Sequence, residues 1–471
     1  MSSAHFQSDR LFYVADRALH QSAASKLIKK GCVATAPCYA AFCLASQRTS
    51  NKQGNCPCIS IRSATCLPST SPIISQMSVS DFQPVLRRIV EYCQQYHLHH
   101  HSINGQNDST SATQTDLPIL ADLQTTIRVL ADENASVPAQ FAGLLTALSV
   151  AGLDRNELVI KTFVQGILSQ WNLGAGLVDR RSQKHDPAVN PICDIVGTGG
   201  DGFNTFNVST TAAIVAAGAG VKVCKHGNRA SSSASGSADL LMAVGIPLDA
   251  LGPSQVAQLI EDPALDFNFL FSPKFYPIFA RLSPIRKALG FPTIFNLLGP
   301  LLNPARPDRL IIGVTKPELG PIFCRVLHLC GSSKSWVVCS EEGLDEISTA
   351  GETSLWRLES DGSIRHQRIS PTETFGLPCH SLDLLTGQSA QENLQMLYDL
   401  LDGKIETAKH KAILDFVLLN ASALLVLAGK TDDFKQGVQL ARNSLLSGKA
   451  KAAVNSFKVK AQAIASLGSK A

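Results

Sequence analysis

The sequence predicts an α/β protein: a small all-helical domain followed by a larger domain with a mostly parallel central sheet. Three observations lead there. Apolar residues recur at helical spacing from about residue 81 to 171, with no strand pattern among them. At Pro191 the pattern changes to strand, glycine loop, helix, strand. Further short apolar runs then alternate with helical stretches, as in parallel strands joined by crossover helices.

Residues 1–76 stand apart from that plan. They are rich in Ser, Ala and Cys, and hold eight Lys or Arg against two acids, Asp9 and Asp16. No period persists in them, so they are expected to be a disordered extension. We read them as an extension ahead of a true start at Met77, which places the protein in the cytoplasm. The alternative is an organelle transit segment, since such segments are basic, Ser-rich and acid-poor.

The expected helical domain covers 77–185. Phe82, Val85, Leu86, Ile89 and Val90 mark its first helix. A polar stretch from Ser102 to Asp116 reads as a loop, with His97, His99, His100 and His101 as its solvated entry rather than a metal site. Three more helices are expected near 117–133, 137–150 and 154–171, with Pro138 and Asp154 as start signals.

The expected α/β domain covers 186–471, with some later helices packing on the helical domain. Ile192–Val196 and Val221–Cys224 read as strands, and Ser209–Ala219 between them as a buried helix. Leu310–Val314 and Trp336–Cys339 are later strands. Phe416–Leu427 reads as a buried helix and Asp433–Leu446 as an amphipathic one.

Composition narrows the function. A formal net charge of +4 over 471 residues gives no support to a nucleic-acid partner. No run of eighteen apolar residues occurs, so no membrane partner is expected. The thirteen cysteines lack paired spacing. Cys193, Cys224, Cys324, Cys330 and Cys339 sit in apolar runs and read as buried free thiols, suiting a reducing compartment. Cys56-Pro57-Cys58 is too tightly spaced for a zinc site.

Three loops carry the chemistry. The first, Gly197-Thr198-Gly199-Gly200-Asp201-Gly202, satisfies the dinucleotide pattern G-x-G-x-x-G. That reading also wants an acid about twenty residues on for the ribose hydroxyls. No Asp or Glu occurs between Asp201 and Asp239, and Lys222 and Lys225 occupy the region instead. A phosphate reading fits better. Glycines let backbone N–H groups approach an anion, and Asn207-Val208-Ser209-Thr210 opens a helix whose free N–H groups favour negative charge. Thr205, Asn207, Ser209 and Thr210 add polar donors. An ordinary turn with Ser209 as N-cap would explain one residue of that series.

The second loop, Lys225-His226-Gly227-Asn228-Arg229, ends the next strand and continues through Ser231, Ser232 and Ser233 to Ser237. Two parallel strands thus deliver cations and hydroxyls to one sheet edge, where ligands of open α/β sheets bind. In the third loop, Gly343-Leu344-Asp345-Glu346, adjacent carboxylates at a strand end suit Mg²⁺ beside phosphates.

These motifs, with Thr293-Ile294-Phe295-Asn296-Leu297-Leu298-Gly299-Pro300-Leu301, together resemble the anthranilate phosphoribosyltransferases from about residue 82 to the C-terminus. The resemblance implies a homodimer formed through the helical domain and a site in the cleft between domains. The implied reaction moves the phosphoribosyl group of phosphoribosyl pyrophosphate (PRPP) to the amine of anthranilate, with Mg²⁺ as cofactor. By resemblance, PRPP is held by Gly197, Gly199, Gly200, Asp201, Thr205, Asn207, Val208, Ser209, Thr210, Lys225, Arg229, Ser231, Ser232, Ser233 and Ser237. Gly197, His226, Asn228, Tyr276, Arg286, Gly299 and Pro300 are expected at anthranilate, and Ser209, Asp345 and Glu346 at the metal. Lys225, His226, Asn228 and Arg286 form the expected catalytic set. Tyr276 departs from the family's usual His and Pro292 from its usual Arg, both near the anthranilate entrance. The insertion at 102–116 has no family counterpart. Pyrimidine-nucleoside phosphorylases and silent nucleic-acid-binding relatives share the fold class. The Asp345-Glu346 pair and Arg286 favour the transferase, and the intact loops and small net charge disfavour the silent relatives.

Overall fold

A computed structural model describes residues 79–103, 117–132, 137–171, 186–230 and 234–468. The expectations for residues 1–76, for Cys56-Pro57-Cys58, for most of the polar stretch after 103 and for Ser231, Ser232 and Ser233 lie outside those residues.

Among the described residues four helices come first: α1 (Val79–Ile103), α2 (Leu120–Ala131), α3 (Pro138–Val150) and α4 (Glu157–Gln170). Each buries one apolar stripe, with Phe82, Ile89, Leu123, Phe141, Leu144 and Phe163 all inaccessible to solvent. Arg88 bridges α1 to α2 by donating from Nε to Asp122 Oδ2 at 2.9 Å. Pro138 does start its helix. Asp154 does not: it sits in a short 3₁₀ turn, and Asn156 caps α4 by accepting from the N–H groups of Leu158 and Val159. An asparagine two residues further on supplies the same local acceptor. His97 lies within α1 rather than at a loop entrance, because the helix runs on to Ile103.

The sheet then builds outward from β1 (Cys193–Gly197). Helix α5 (Val208–Gly218) crosses to β2 (Val223–Gly227), and α6 (Ser237–Val244) and α7 (Pro253–Glu261) lead to β3 (Phe267–Phe271). The chain next forms α8 (Ile278–Leu289) and returns to the other side of β1 as β4 (Arg309–Gly313). Helix α9 (Leu319–Leu329), β5 (Lys334–Ser340), β6 (Thr353–Leu358) and β7 (Ile364–Ile369) follow. The order is β3-β2-β1-β4-β5-β6-β7, parallel from β3 to β5 and antiparallel for the last two strands. Strand order therefore reverses at β1, the place where open α/β sheets bind ligands.

Four more helices close the chain: α10 (Ala390–Leu401), α11 (Ala408–Leu427), α12 (Phe434–Leu446) and α13 (Lys449–Gly468). Among the described helices only α11 is long and apolar enough to cross a membrane, and it is mostly buried inside the protein. It packs on α5, whose residues from Thr210 to Ala217 are all buried. A helix apolar on every face belongs in such a core. On the other side, α9 and the single turn Phe295–Leu298 pack on α4, and α8 packs on α3. Phe295 meets Phe141 and Phe163 edge-on at centroid distances of 5.6 and 5.9 Å, joining the helical layer to the wall of the cleft. Of the cysteines expected to be buried, Cys330 is exposed. It follows the last residue of α9, and Gly331 at φ 93° turns the chain away from that helix's apolar face.

Candidate active site

The carboxyl ends of β1, β2, β4 and the turn after β5 converge. Gly197 and Gly313 are register partners at the ends of β1 and β4. A Cβ on Gly197 would collide with the Asp345 carboxylate, and one on Gly313 with the Asp345 backbone. Glycine at both positions is what lets the third loop fold onto the first. The Asp345 Oδ2 then accepts from the Gly199 N–H at 2.6 Å, and the Thr198 N–H donates to the Gly313 carbonyl at 2.9 Å. Gly199, Gly200 and Gly202 have φ of 71°, 79° and 79°, which only glycine adopts readily.

Asn207 precedes the first turn of α5 but makes no capping bond. Its amide lies elsewhere, with Nδ2 donating to the Ser235 carbonyl and Oδ1 accepting from Asn393 Nδ2, both at 2.9 Å. The simple-turn reading with Ser209 as N-cap therefore does not hold. Ser209 sits inside the helix, and its hydroxyl bonds to Glu346. The helix N-terminus beside the glycine loop, without a side-chain cap, suits an anion.

Lys225 is 2% exposed and donates from Nζ to the Ile195 carbonyl at 2.5 Å. Burial pushes its pKa down, opposed by the charges of Asp194, Glu346 and Asp345. Burial raises Asp345 to about 7, helped by the neighbouring Asp201 charge. Glu346 rises to about 8 through burial and the Asp345 charge, with Lys225 and the Ser209 hydroxyl opposing. Three carboxylates thus surround one lysine, an excess of buried negative charge that a cation would relieve. Among the described residues no three His, Cys, Asp or Glu side chains form a ready metal cage. The adjacent Asp345 and Glu346 suit Mg²⁺, which takes one or two carboxylates and completes its shell with substrate phosphates and water.

Asp194, within β1, is fully buried and organises the strand ends. Its Oδ1 accepts from the Ile195 N–H at 2.8 Å, and its Oδ2 accepts from the His226 N–H at 3.1 Å and from Asn303 Nδ2 at 2.8 Å. Burial lifts it to about 6 against the pull of Lys225. His226 is pushed down to about 4 by burial, so its ring is neutral near pH 7. Its Nε2 is buried without a partner, as are Thr198 Oγ1, Arg286 Nε and Thr293 Oγ1. Buried polar atoms are almost always hydrogen-bonded, so each of these orphans is a candidate contact for a ligand's polar atoms.

Next to the His226 end of β2 lies an aromatic wall. Half-buried Arg286 on α8 stands over the Phe295 ring at 5.8 Å and makes only a long 3.4 Å contact with Asn296 Oδ1. Burial lowers its pKa. Gly299 and Pro300 form the turn beside His226, whose ring contacts the Gly299 backbone.

Other expected residues stand apart. Tyr276 is completely buried, donates its hydroxyl to the Leu302 carbonyl at 2.5 Å and meets the His226 ring edge-on at 5.9 Å. It backs the wall and offers no group to a ligand. Arg229 is turned outward in an exposed ion pair with Asp249 at 2.8 Å. Asn228 is exposed, with Oδ1 accepting from the Arg229 N–H at 2.7 Å, while its carbonyl accepts from Ser237 Oγ at 3.2 Å. Thr205 forms an isolated bridge to Thr386. Val208 and Thr210 are buried at the start of α5. Pro292 is exposed just beyond the C-terminus of α8.

Fold and site together define a glycosyltransferase of the α/β type, and a family described as "Glycosyl transferase family, a/b domain" matches residues 189–451. The anthranilate phosphoribosyltransferase of Schizosaccharomyces pombe is 43% identical over 338 residues, covering 72% of this chain and 91% of its own. That of Thermomicrobium roseum is 41% identical, covering 70% and 89%. The Saccharomyces cerevisiae enzyme solved in complex with PRPP and Mg superposes with a TM-score of 0.67 at 31% identity, covering 81% of this chain and 99% of that one. The same enzyme in complex with 4-fluoroanthranilate gives 0.65 at 29% identity, covering 80% and 99%. The chain belongs to the anthranilate phosphoribosyltransferase family.

Proposed function

We propose that the chain performs its family's reaction with the two sides of the cleft in separate roles. PRPP takes the strand ends, with its phosphates over Gly197–Gly202 and the first turn of α5 and beside Lys225. Anthranilate takes the aromatic wall, with its carboxylate on Arg286. The observation that carries this reading is the buried trio of Lys225, Asp345 and Glu346, with half-buried Asp201 of the glycine loop beside Asp345.

The amine nitrogen attacks the anomeric carbon of PRPP as the C–O bond to pyrophosphate breaks, and the amine loses one proton. An inverting displacement needs the amine and the leaving group on opposite faces of the ribose, and the two walls supply them. Positioning is most of the task, because the aromatic amine needs no strong base before attack. The Lys225 ammonium and the loop N–H groups face the negative charge that grows on pyrophosphate. A planar guanidinium grips a carboxylate with two parallel hydrogen bonds, and Arg286 keeps its Nε unpartnered for this. The neutral His226 ring accepts a hydrogen bond from the amine at Nε2, the atom the structure leaves unpaired. Asp345, Glu346 and the Ser209 hydroxyl would hold Mg²⁺. When bound, the ion supplies positive charge to the pyrophosphate oxygens. A homodimer is proposed on the family resemblance.

The test follows anthranilate fluorescence with purified protein, PRPP and Mg²⁺, omitting each in turn. Signal loss that requires all three, with equimolar pyrophosphate released, supports the reading. Turnover indifferent to Mg²⁺ would remove the metal from it.

A further inference from the structure

Two amide bridges cross behind the phosphate loop. Asn393 lies in the first turn of α10, is 4% exposed and stands 186 residues from Asn207 in sequence. Its Oδ1 accepts from the Gln388 N–H at 2.9 Å, so its Nδ2 must face the other way, where it donates to Asn207 Oδ1 at 2.9 Å. That in turn points Asn207 Nδ2 at the Ser235 carbonyl, 2.9 Å away. A backbone donor at one end and a backbone acceptor at the other therefore set the orientation of both amides. Beside this chain runs a second of opposite polarity. Asn204 Oδ1 accepts from the Ala234 N–H at 2.8 Å, and its Nδ2 donates to the Gly387 carbonyl at 3.1 Å.

We propose that Asn393 is a positioning residue for the phosphoribosyl donor: through Asn207 it holds the start of α5 and the Ala234–Ser235 limb of the second loop at a fixed separation. This rests on the PRPP reading of the site. Asn207 then serves PRPP through the backbone it holds, since both ends of its amide are occupied by protein. Loss of Asn393 leaves Asn207 Oδ1 and the Gln388 N–H without their partners, and the Asn207 amide becomes free to turn. Nothing in the bridge touches Arg286 or the aromatic wall, so the effect belongs to one substrate.

The experiment uses the full chain with Mg²⁺, measuring PRPP binding by calorimetry and both KM values by steady-state kinetics. For Asn393→Ala the PRPP Kd and KM rise roughly ten-fold, the scale of one buried hydrogen bond left unmade. The anthranilate KM and kcat stay within about two-fold, on the expectation that sites without shared partners act independently. Asn393→Asp keeps the volume and the acceptor for Gln388 but removes the donor, and shows the same split. An unchanged PRPP Kd in both variants overturns the proposal. So does a parallel loss in kcat, both KM values and thermal stability, which would make Asn393 a general packing residue. A parent protein that neither binds nor turns over PRPP would instead overturn the reading of the site.

Discussion

The two walls of the cleft are built from different materials. The donor side is made of strand ends: buried charges, backbone donors and glycines whose missing Cβ atoms let Asp345 reach the first loop. The acceptor side is made of helices and turns: Arg286 on α8, Phe295 on a single turn, and Tyr276 sealed behind them. Every ionisable group of the donor side faces another charge, whereas Arg286 has an aromatic face and a long contact to an amide oxygen. The contrast matches the ligands. A polyanion with a metal needs many fixed charges and dipoles. A flat aromatic acid needs a slot and one cation.

Substitutions that separate the walls test this. The largest effect is expected for Asp345→Asn with Glu346→Gln, which removes the buried negative charge while keeping shape. We expect kcat to fall about a thousand-fold, the scale of lost electrostatic stabilisation at a developing charge, and the Mg²⁺ midpoint to move up. An unchanged Mg²⁺ titration would remove both residues from the metal site. Next comes Arg286→Ala, expected to raise the anthranilate KM by about thirty-fold, as for a charge-assisted hydrogen bond of about 2 kcal/mol. The PRPP KM should stay within about two-fold. Equal rises in both would mean the walls are not separable.

The donor wall was far more legible in the sequence. Its residues come in runs, such as Gly197–Gly202 and Lys225–Arg229, because a strand end and the loop after it are contiguous. The spacing of small, polar and charged residues there follows the chain itself. Long-range partners left no such mark. Nothing local distinguishes Asn303 or Asn393 from other asparagines, and each acts only because the fold carries it to Asp194 or Asn207. Thr198 and Thr293 lie inside the motifs, but only the fold shows their hydroxyls buried without partners. Strand β3 is a fully buried run, Phe-Asn-Phe-Leu-Phe, too short for periodicity to separate from a buried helix. Strands β6 and β7 alternate weakly because β7 is an edge with four exposed residues in a row. At Tyr276 family position suggests a ligand contact, while the fold adds what the sequence does not show, a packed ring with an occupied hydroxyl.

That ring supplies a smaller test. Tyr276→Phe deletes the bond to the Leu302 carbonyl and nothing else. It should cost about 1–2 kcal/mol of stability by leaving a buried acceptor unmet, read from chemical denaturation. The anthranilate KM should change by less than about three-fold. A much larger KM change at full stability would place the hydroxyl at the ligand after all.

The smallest expected effect is a pH slope on stability, and its sign belongs to the donor wall. Asp345 at about 7 and Glu346 at about 8 hold protons in the folded protein that the unfolded chain has already released. Between the ordinary carboxylate range near ~4 and those values, the folded state binds more protons, so stability falls as pH rises. His226, pushed down to about 4, works in the opposite sense and lowers stability only as pH drops below its ordinary ~6.5. The ligand-free protein should therefore lose a few degrees of Tm between pH 6 and 8.5 (roughly the effect of a few kcal/mol in a chain this size). Asp345→Asn with Glu346→Gln should flatten that slope, and Mg²⁺ with pyrophosphate should flatten it in the parent by favouring the ionised carboxylates. Arg286→Ala should leave it untouched, because nothing on the acceptor wall changes protonation in that range. A slope that survives the double substitution would place the titrating groups elsewhere in the protein.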